Sequence, residues 1–253
     1  MKSGICASLV LSLAAVSAFA GVSYTFESST SGVGEMVVSG TAESDGPKMR
    51  IRFVHAGGNL FPDGSVAVTT DGGKSLTFLD PKEKTFYVIQ VEDLFARLGA
   101  EGLIKASSPM VKMTEGGPGP AIEGMPTRVV HINVAFDMEV GSAGKTHFTM
   151  TGDAFLTDAV PAGTSSFIGM KGVRSGIPAV DQLIEAQSTV FRSSFLLKER
   201  LTISAKGGLL DYDSVTAAAI HNLKVHDIPP SDFTVPPEFT RVDGPMDTLA
   251  KAK

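Results

Sequence analysis

Five histidines are the residues best suited to acid–base or metal chemistry in this chain: His55, His131, His147, His221 and His226. His131 and His147 fall on the polar phase of two neighbouring predicted strands, from which they could face each other across a hairpin. Cross-strand partners lie close enough to share a metal, but a site needs a third ligand and no spacing supplies one. His55, His221 and His226 sit singly on other predicted strands. Ser-His-Asp chemistry needs a nucleophile on a strained turn with a base in reach. Ser142 in Gly141-Ser142-Ala143-Gly144 is better read as part of a hairpin turn. Gly116-Gly117-Pro118-Gly119 lacks the Lys-Ser/Thr and the helix of a phosphate loop, and its proline removes an N–H that such a cradle would use. Glu92-Asp93 are acids where a helix start favours them. The residues point to no catalytic centre, no metal and no cofactor.

The elements that carry these residues are mostly strands. Pro126 to Asp158 reads as two long strands, PTRVVHINVAFDMEV and KTHFTMTGDAFLTD, around the turn GSAG. Val130, Ile132, Val134, Phe136, Met138 and Val140 share one face of the first. Phe148, Met150, Ala154 and Leu156 share one face of the second. Alternation of this kind is the signature of a strand with one face buried. Upstream, Val22–Ser28, Glu35–Glu43, Lys48–His55, Val66–Thr70, Leu76–Leu79 and Thr85–Val91 are short strands separated by turn residues, an antiparallel meander. Leu201–Lys206 and Ser214–His226 form a closing hairpin. Pro109 to Pro126, with its glycines and prolines, reads as a long loop. Two helical insertions interrupt the strands: Glu92–Lys105, short or broken at Gly99 and Gly102, and a helix that opens at Pro178 and runs to Leu197. In the latter, Val180, Leu183, Ile184, Gln187, Val190, Phe191 and Phe195 follow at steps of three and four. Pro229-Pro230, Pro236-Pro237 and Pro245 make the C-terminal stretch extended.

Length and composition bound the function. Lys2, the apolar run Ile5–Val16 and Ala18-Phe19-Ala20 have the order of a secretory signal, with cleavage expected after Ala20. The run is shorter than the roughly 20 residues that span a bilayer, and no later segment is apolar for long enough, so the chain is not expected to be an integral membrane protein. The single cysteine, Cys6, lies in that signal, leaving a mature chain with no disulfide and no thiol. A cysteine-free exported chain fits a bacterial periplasm. The net charge of −5 becomes −6 once Lys2 is removed, which disfavours nucleic acid and anionic membrane surfaces as partners. The absence of Trp weakens a carbohydrate-stacking role. Residues 21–253 are read as one domain, large enough to bury a substantial core.

Several short segments carry a family resemblance. KMRIRF, LTFLDPKEKTFYVI, GMPTRVVHI, FLTDAVP, the long helix and IPPSDFTVPPEFTRV occur in the order found in a family of exported bacterial proteins known as DUF4412, which is similar to the LolA/LolB lipoprotein-carrier fold. The most specific pieces are Asp80, Pro81, Lys82, Lys84, Thr85 and Phe86, and then Phe233, Val235, Pro236 and Phe239. The resemblance implies a mainly β chain with helical insertions (α+β), its antiparallel sheet curled into an incomplete barrel. It also implies that Glu92–Lys105 and Pro178–Leu197 cover the concave face. In the carriers that cavity takes acyl chains; no polar residue of their cavity mouth matches a position here.

The resulting expectation is a periplasmic, non-enzymatic protein that holds a lipid or a lipoprotein acyl chain. Its apolar lining would be Val134, Phe136, Met138, Phe148, Met150, Leu183, Phe191 and Phe195. The alternative is a closed-core module of the bacterial envelope that contacts a protein partner and takes no small ligand. N-terminal sequencing of exported material is expected to start at Gly21; a start at Met1 would contradict the assigned signal.

Overall fold

In a computed structural model, which describes residues 21–32, 34–57, 62–91, 104–140, 144–161, 178–191, 194–208 and 211–244, the chain forms one 12-stranded sheet. The first six strands are β1 (Gly21–Ser31), β2 (Met36–Asp45), β3 (Lys48–His55), β4 (Val66–Thr69), β5 (Ser75–Asp80) and β6 (Thr85–Gln90). A second run contains β7 (Ile104–Ile122), β8 (Met125–Val140), β9 (Lys145–Thr157), β10 (Phe195–Lys206) and β11 (Tyr212–His226). Helix α1 (Pro178–Val190) lies between β9 and β10, and a short β12 (Thr240–Arg241) closes the chain. Each run is an antiparallel meander, and β1 pairs with β11 to fuse them into the order β12-β6-β5-β4-β3-β2-β1-β11-β10-β9-β8-β7. The parallel exception is β12 on β6.

A sheet this wide, with one apolar face, must bend that face inward to hide it. Three features supply the bend. Bulges interrupt the β1–β11, β2–β3 and β9–β10 pairings, and bulges increase local twist. Two glycines sit where strands cross too closely for a side chain: a Cβ at Gly40 would lie 2.1 Å from the Arg52 carbonyl oxygen, and one at Gly152 would lie 2.0 Å from that of Arg200. Finally, the β7–β8 turn reaches back over the sheet. Glu123 and Gly124 both have positive φ, as a tight two-residue hairpin turn requires. The Glu123 carboxylate accepts the Asn222 backbone N–H at 2.8 Å and faces His221 Nδ1 at 3.5 Å, on β11. Ile122 and Met125 beside that turn pack with the core of the β1–β6 half.

The apolar residues form three clusters. The concave face of the β1–β6 half carries Tyr24, Phe26, Met49, Ile51, Phe53 and Phe78, joined by Phe195, Leu197 and Ile220 from the other half. The concave face of β8–β10 carries Val130, Ile132, Val134, Leu156, Leu196 and Leu201, with Phe191 from the end of α1. The β10 bulge lies where these two clusters meet, and it allows the consecutive residues Leu196 and Leu197 both to be buried. On the outer face, Val66, Val68 and Leu79 are covered by Ile228, Phe233, Val235 and Phe239 from the C-terminal segment. There the Asp80–Thr85 turn and the Phe233–Phe239 segment meet: Thr240 N–H donates to the Lys84 carbonyl at 2.9 Å, and β12 runs beside Thr85 and Phe86. The two most specific motifs of the sequence are therefore one structural unit.

Three sequence expectations need correction. The stretch read as a loop from Pro109 to Pro126 belongs to β7 and the start of β8. Among the described residues β7 is the terminal strand of the sheet, where prolines are tolerated because one row of N–H groups has no strand partner there, and bulges accommodate the glycines. Helix α1 stops at Val190 instead of continuing to Leu197, and Phe195 opens β10. Ser188 and Thr189 hydroxyls both donate to the Glu185 carbonyl (3.1 and 2.9 Å), taking up an acceptor in the last turn. Two helices over the concave face are also not supported: of Glu92–Lys105, residues 92–103 lie outside the described residues and Lys105 is in β7, while α1 packs along β7. Residues 1–20 likewise lie outside the described residues.

Gly152→Ala is expected to destabilise the fold by about 1–3 kcal/mol through overpacking against the β10 backbone, read as a lowered urea midpoint. An unchanged midpoint would contradict the close strand crossing.

Candidate functional site

The β8–β9 hairpin places the expected apolar lining on one face by register. Phe136 pairs with Phe148, Val134 with Met150, Ile132 with Gly152 and Val130 with Ala154. The Phe136 and Phe148 rings stack with centroids 5.3 Å apart and planes 9° from parallel. Burial grades along this ladder. Val130, Ile132 and Val134 are sealed, whereas Phe136, Met138 and Met150 are half-buried toward the far end of the hairpin. Across the sheet, in the row of Ile132, Gly152, Leu201 and Thr216, Met36 is 44% exposed and pairs with Thr30 on the same face. The apolar face is thus sealed at the Phe195 end and only half-buried at Phe136 and Met138, while Thr146, Phe148 and Ala205 across from them are buried.

The structure brings together only part of the expected set. Val134, Phe136, Met150 and Phe191 belong to one cluster, with Phe148 stacked beside them. Met138 lies next along the same strand face, opposite the buried Thr146. Phe195 packs into the other cluster, edge-on to Tyr24 with centroids 5.5 Å apart. Leu183 is in α1, and its side chain lies outside the described residues.

A polar network fixes the helix end against the hairpin. Arg128 of β8 is paired through Nη1 with Glu115 of β7. Its Nη2 donates to the Val190 carbonyl at 3.1 Å and to Ser194 Oγ at 2.9 Å, and Ser194 donates to Asp158. Arg128 therefore satisfies a terminal helix carbonyl that has no intrahelical partner and positions Phe191 over the hairpin.

The histidines do not face one another. His131 Nδ1 lies 2.6 Å from Asp153, its register partner, and His147 Nδ1 lies 2.8 Å from Asp137. Asp137 also pairs with Lys145 at 2.8 Å; hydrogen bonds from Lys145 and then His147 hold its carboxyl below the usual range. Both pairs are exposed and lie on the convex face, as cross-strand ion pairs on a solvated surface.

One polar residue of the concave face was missed from the sequence. Lys198-Glu199-Arg200 reads as a charged run, yet Glu199 is in phase with Leu197, Leu201 and Ile203, and that phase was the available signal. Its register partners are Ala154 and Ala218, both buried. Among the described residues no hydrogen-bond or ion-pair partner meets its carboxyl, and desolvation by burial pushes its pKa up to about 7.

A second concavity lies on the opposite side of the sheet. Between the C-terminal segment and β3–β5 is a cleft of about 320 Å³, lined by Arg50, Arg52, Val66, Val68, Leu79, Asp232 and Phe239 among others. It is separated from the hairpin lining by the sheet itself.

No family model matches the chain, so the DUF4412 resemblance gains no support there, and no curated protein matches it. Among solved structures it is similar to PNGF-II (TM-score 0.38, 10% identity, 92% of this chain), and it spans 33% of that longer protein. It is also similar to a LolA superfamily protein from Nitrosomonas europaea (TM-score 0.33, 12% identity, 86% of this chain and 91% of that one). A DUF1329 family protein from Desulfovibrio piger gives TM-score 0.33 at 10% identity, covering 87% of this chain and 91% of that one. Similarity this low carries nothing about the site, so function rests on the chain's own geometry.

Glu199→Gln is expected to stabilise the protein selectively at alkaline pH. An unfolded Glu titrates near 4.5, and the folded group near 7. Both states are protonated below the lower value; between the two values only the unfolded state ionises, so stability falls as pH rises from the lower to the upper value and levels off above it. Urea unfolding should therefore show a gain on the order of 2–3 kcal/mol over wild type at pH 8.5 and almost none at pH 4. An equal gain at both pH values would contradict a half-buried, unpaired carboxyl.

Proposed function

We propose that this chain is an exported, non-enzymatic binding protein of the bacterial periplasm that holds the acyl chain of a lipid or lipoprotein against the open end of its concave face. The observation that supports this most is the graded ladder of β8 and β9. Phe136, Met138 and Met150 continue the line of sealed core residues but are left half-buried, with the exposed Met36 across the sheet. An apolar chain laid there removes its own surface and that of these residues from water, worth roughly 25 cal/mol per Å². Methionines suit such a surface because an unbranched thioether adapts to ligands of different shape. The absence of a helix long and apolar enough to cross a membrane, among the described residues, is compatible with this setting. Phe195 and Phe191 act as the closed floor in this reading, and Phe136, Phe148, Met138 and Met150 form the contact surface.

Met150→Trp tests it, because added bulk at a half-open position fills the space a ligand would use without overfilling the core. Wild-type protein should take up a fluorescent long-chain fatty acid, and the variant should bind it about tenfold more weakly, a loss of about 1.4 kcal/mol, with an unchanged melting temperature. No uptake by the wild type would contradict the proposal. So would a variant destabilised by about 1–3 kcal/mol, the behaviour of a sealed core.

A further inference from the structure

We propose that Glu199 anchors the head of the bound amphiphile, and that this head carries a cationic nitrogen close to its chain. The inference rests on the acyl-binding reading above and adds the chemistry of the ligand's polar end. Its basis is where the carboxyl sits. The register puts it on the concave face between Ala154 of β9 and Ala218 of β11, two side chains too short to crowd it. The hydroxyls of Thr30 and Thr216 lie one step further toward the open end of that face, 3.1 Å apart. A polar strip therefore crosses the trough in the rows of Val130 and Ile132, from which an apolar chain can run along β9 and β10 toward Met150 and Phe148, the arrangement an amphiphile needs.

Charge decides the sign of the head. Around Glu199 on this face, β9 presents Gly152, Ala154 and Leu156, and β11 presents Thr216, Ala218 and Ile220, none of them titratable. On β8 the cation of the face, Arg128, is already engaged by Glu115, the Val190 carbonyl and Ser194. Lys198 and Arg200, the neighbours of Glu199 in β10, are exposed and alternate onto the convex side. A carboxylate taken out of water without a partner is costly, and a cation supplied from outside offsets that cost. The elevated pKa of Glu199 fits the same picture, because burial with no cation beside it is what raises a carboxyl. Pairing with an ammonium head would lower it again.

Calorimetric titration of the mature chain at pH 8, with dodecyltrimethylammonium and with dodecyl maltoside, each below its micelle concentration, tests the assignment. Wild type should prefer the ammonium probe by about tenfold or more, the scale of one charge-assisted contact. In Glu199→Gln that preference should fall below about twofold, with maltoside affinity retained. The melting temperature of the variant controls for folding. Uptake of the neutral probe with no ammonium preference in the wild type, or a preference that survives in Glu199→Gln, overturns the anchor and leaves the acyl-binding reading in place. Binding of neither probe overturns both.

Discussion

A single wide sheet with one apolar face cannot exist flat in water, and most of this molecule follows from that constraint. Every strand from β1 to β11 contributes inward residues, so hiding them requires the sheet to curl until its apolar face meets itself. Gly40, Gly152 and the bulges are where the backbone gives way. The β1–β11 pairing, which joins the two meanders, makes the curl continuous. Contacts from Phe195, Leu197 and Ile220 into the β1–β6 core show the two halves sharing one interior. The C-terminal segment solves the complementary problem: Val66, Val68 and Leu79 point outward, and Phe233 and its neighbours cover them.

The same constraint separates stability from function on the concave face. At one end the apolar residues are sealed by the β7–β8 turn and the bulged leucines. At the other the same alternation continues into Phe136, Met138 and Met150, which stay half-buried, while the Glu199 carboxyl and the Thr30 and Thr216 hydroxyls lie in the rows of Val130 and Ile132, between the two ends. Arg128 holds the boundary. By tying α1 and β7 to β8 it fixes Phe191 over the sealed part of the hairpin. The convex side carries the charge pairs expected of a solvated sheet, His131–Asp153 and His147–Asp137, together with the half-buried cross-strand pair Val129–Phe155.

The hairpin from Pro126 to Asp158 was legible in the sequence because its period of two runs unbroken through many residues. The face it assigned to Val130, Ile132, Val134, Phe136, Phe148 and Met150 is the face observed. The end of α1 was not legible, since Phe191 and Phe195 are four apart and continue a helical spacing across a break that only the β9–β10 pairing imposes. β7 was hidden by Gly and Pro residues that suit a terminal strand as well as a loop. The meeting of the Asp80 turn with Phe233 and Phe239 is a long-range contact that no local pattern encodes. Glu199 was partly legible: its phase was readable, but a charged neighbour on each side masked it. How far the concave face is left open depends on tertiary packing, and strand alternation alone does not record it.

The central claim is that the concave face of β8 and β9, and not the outer cleft, is the ligand surface. Photo-crosslinking with a diazirine-bearing palmitic acid, followed by peptide mapping of the purified protein, locates the ligand directly. Label on peptides containing Phe136, Met138, Phe148 and Met150 is the expected result. Label concentrated on the Arg50–Val68 and Ser231–Phe239 peptides, or no label above the level seen with unfolded protein, would contradict it.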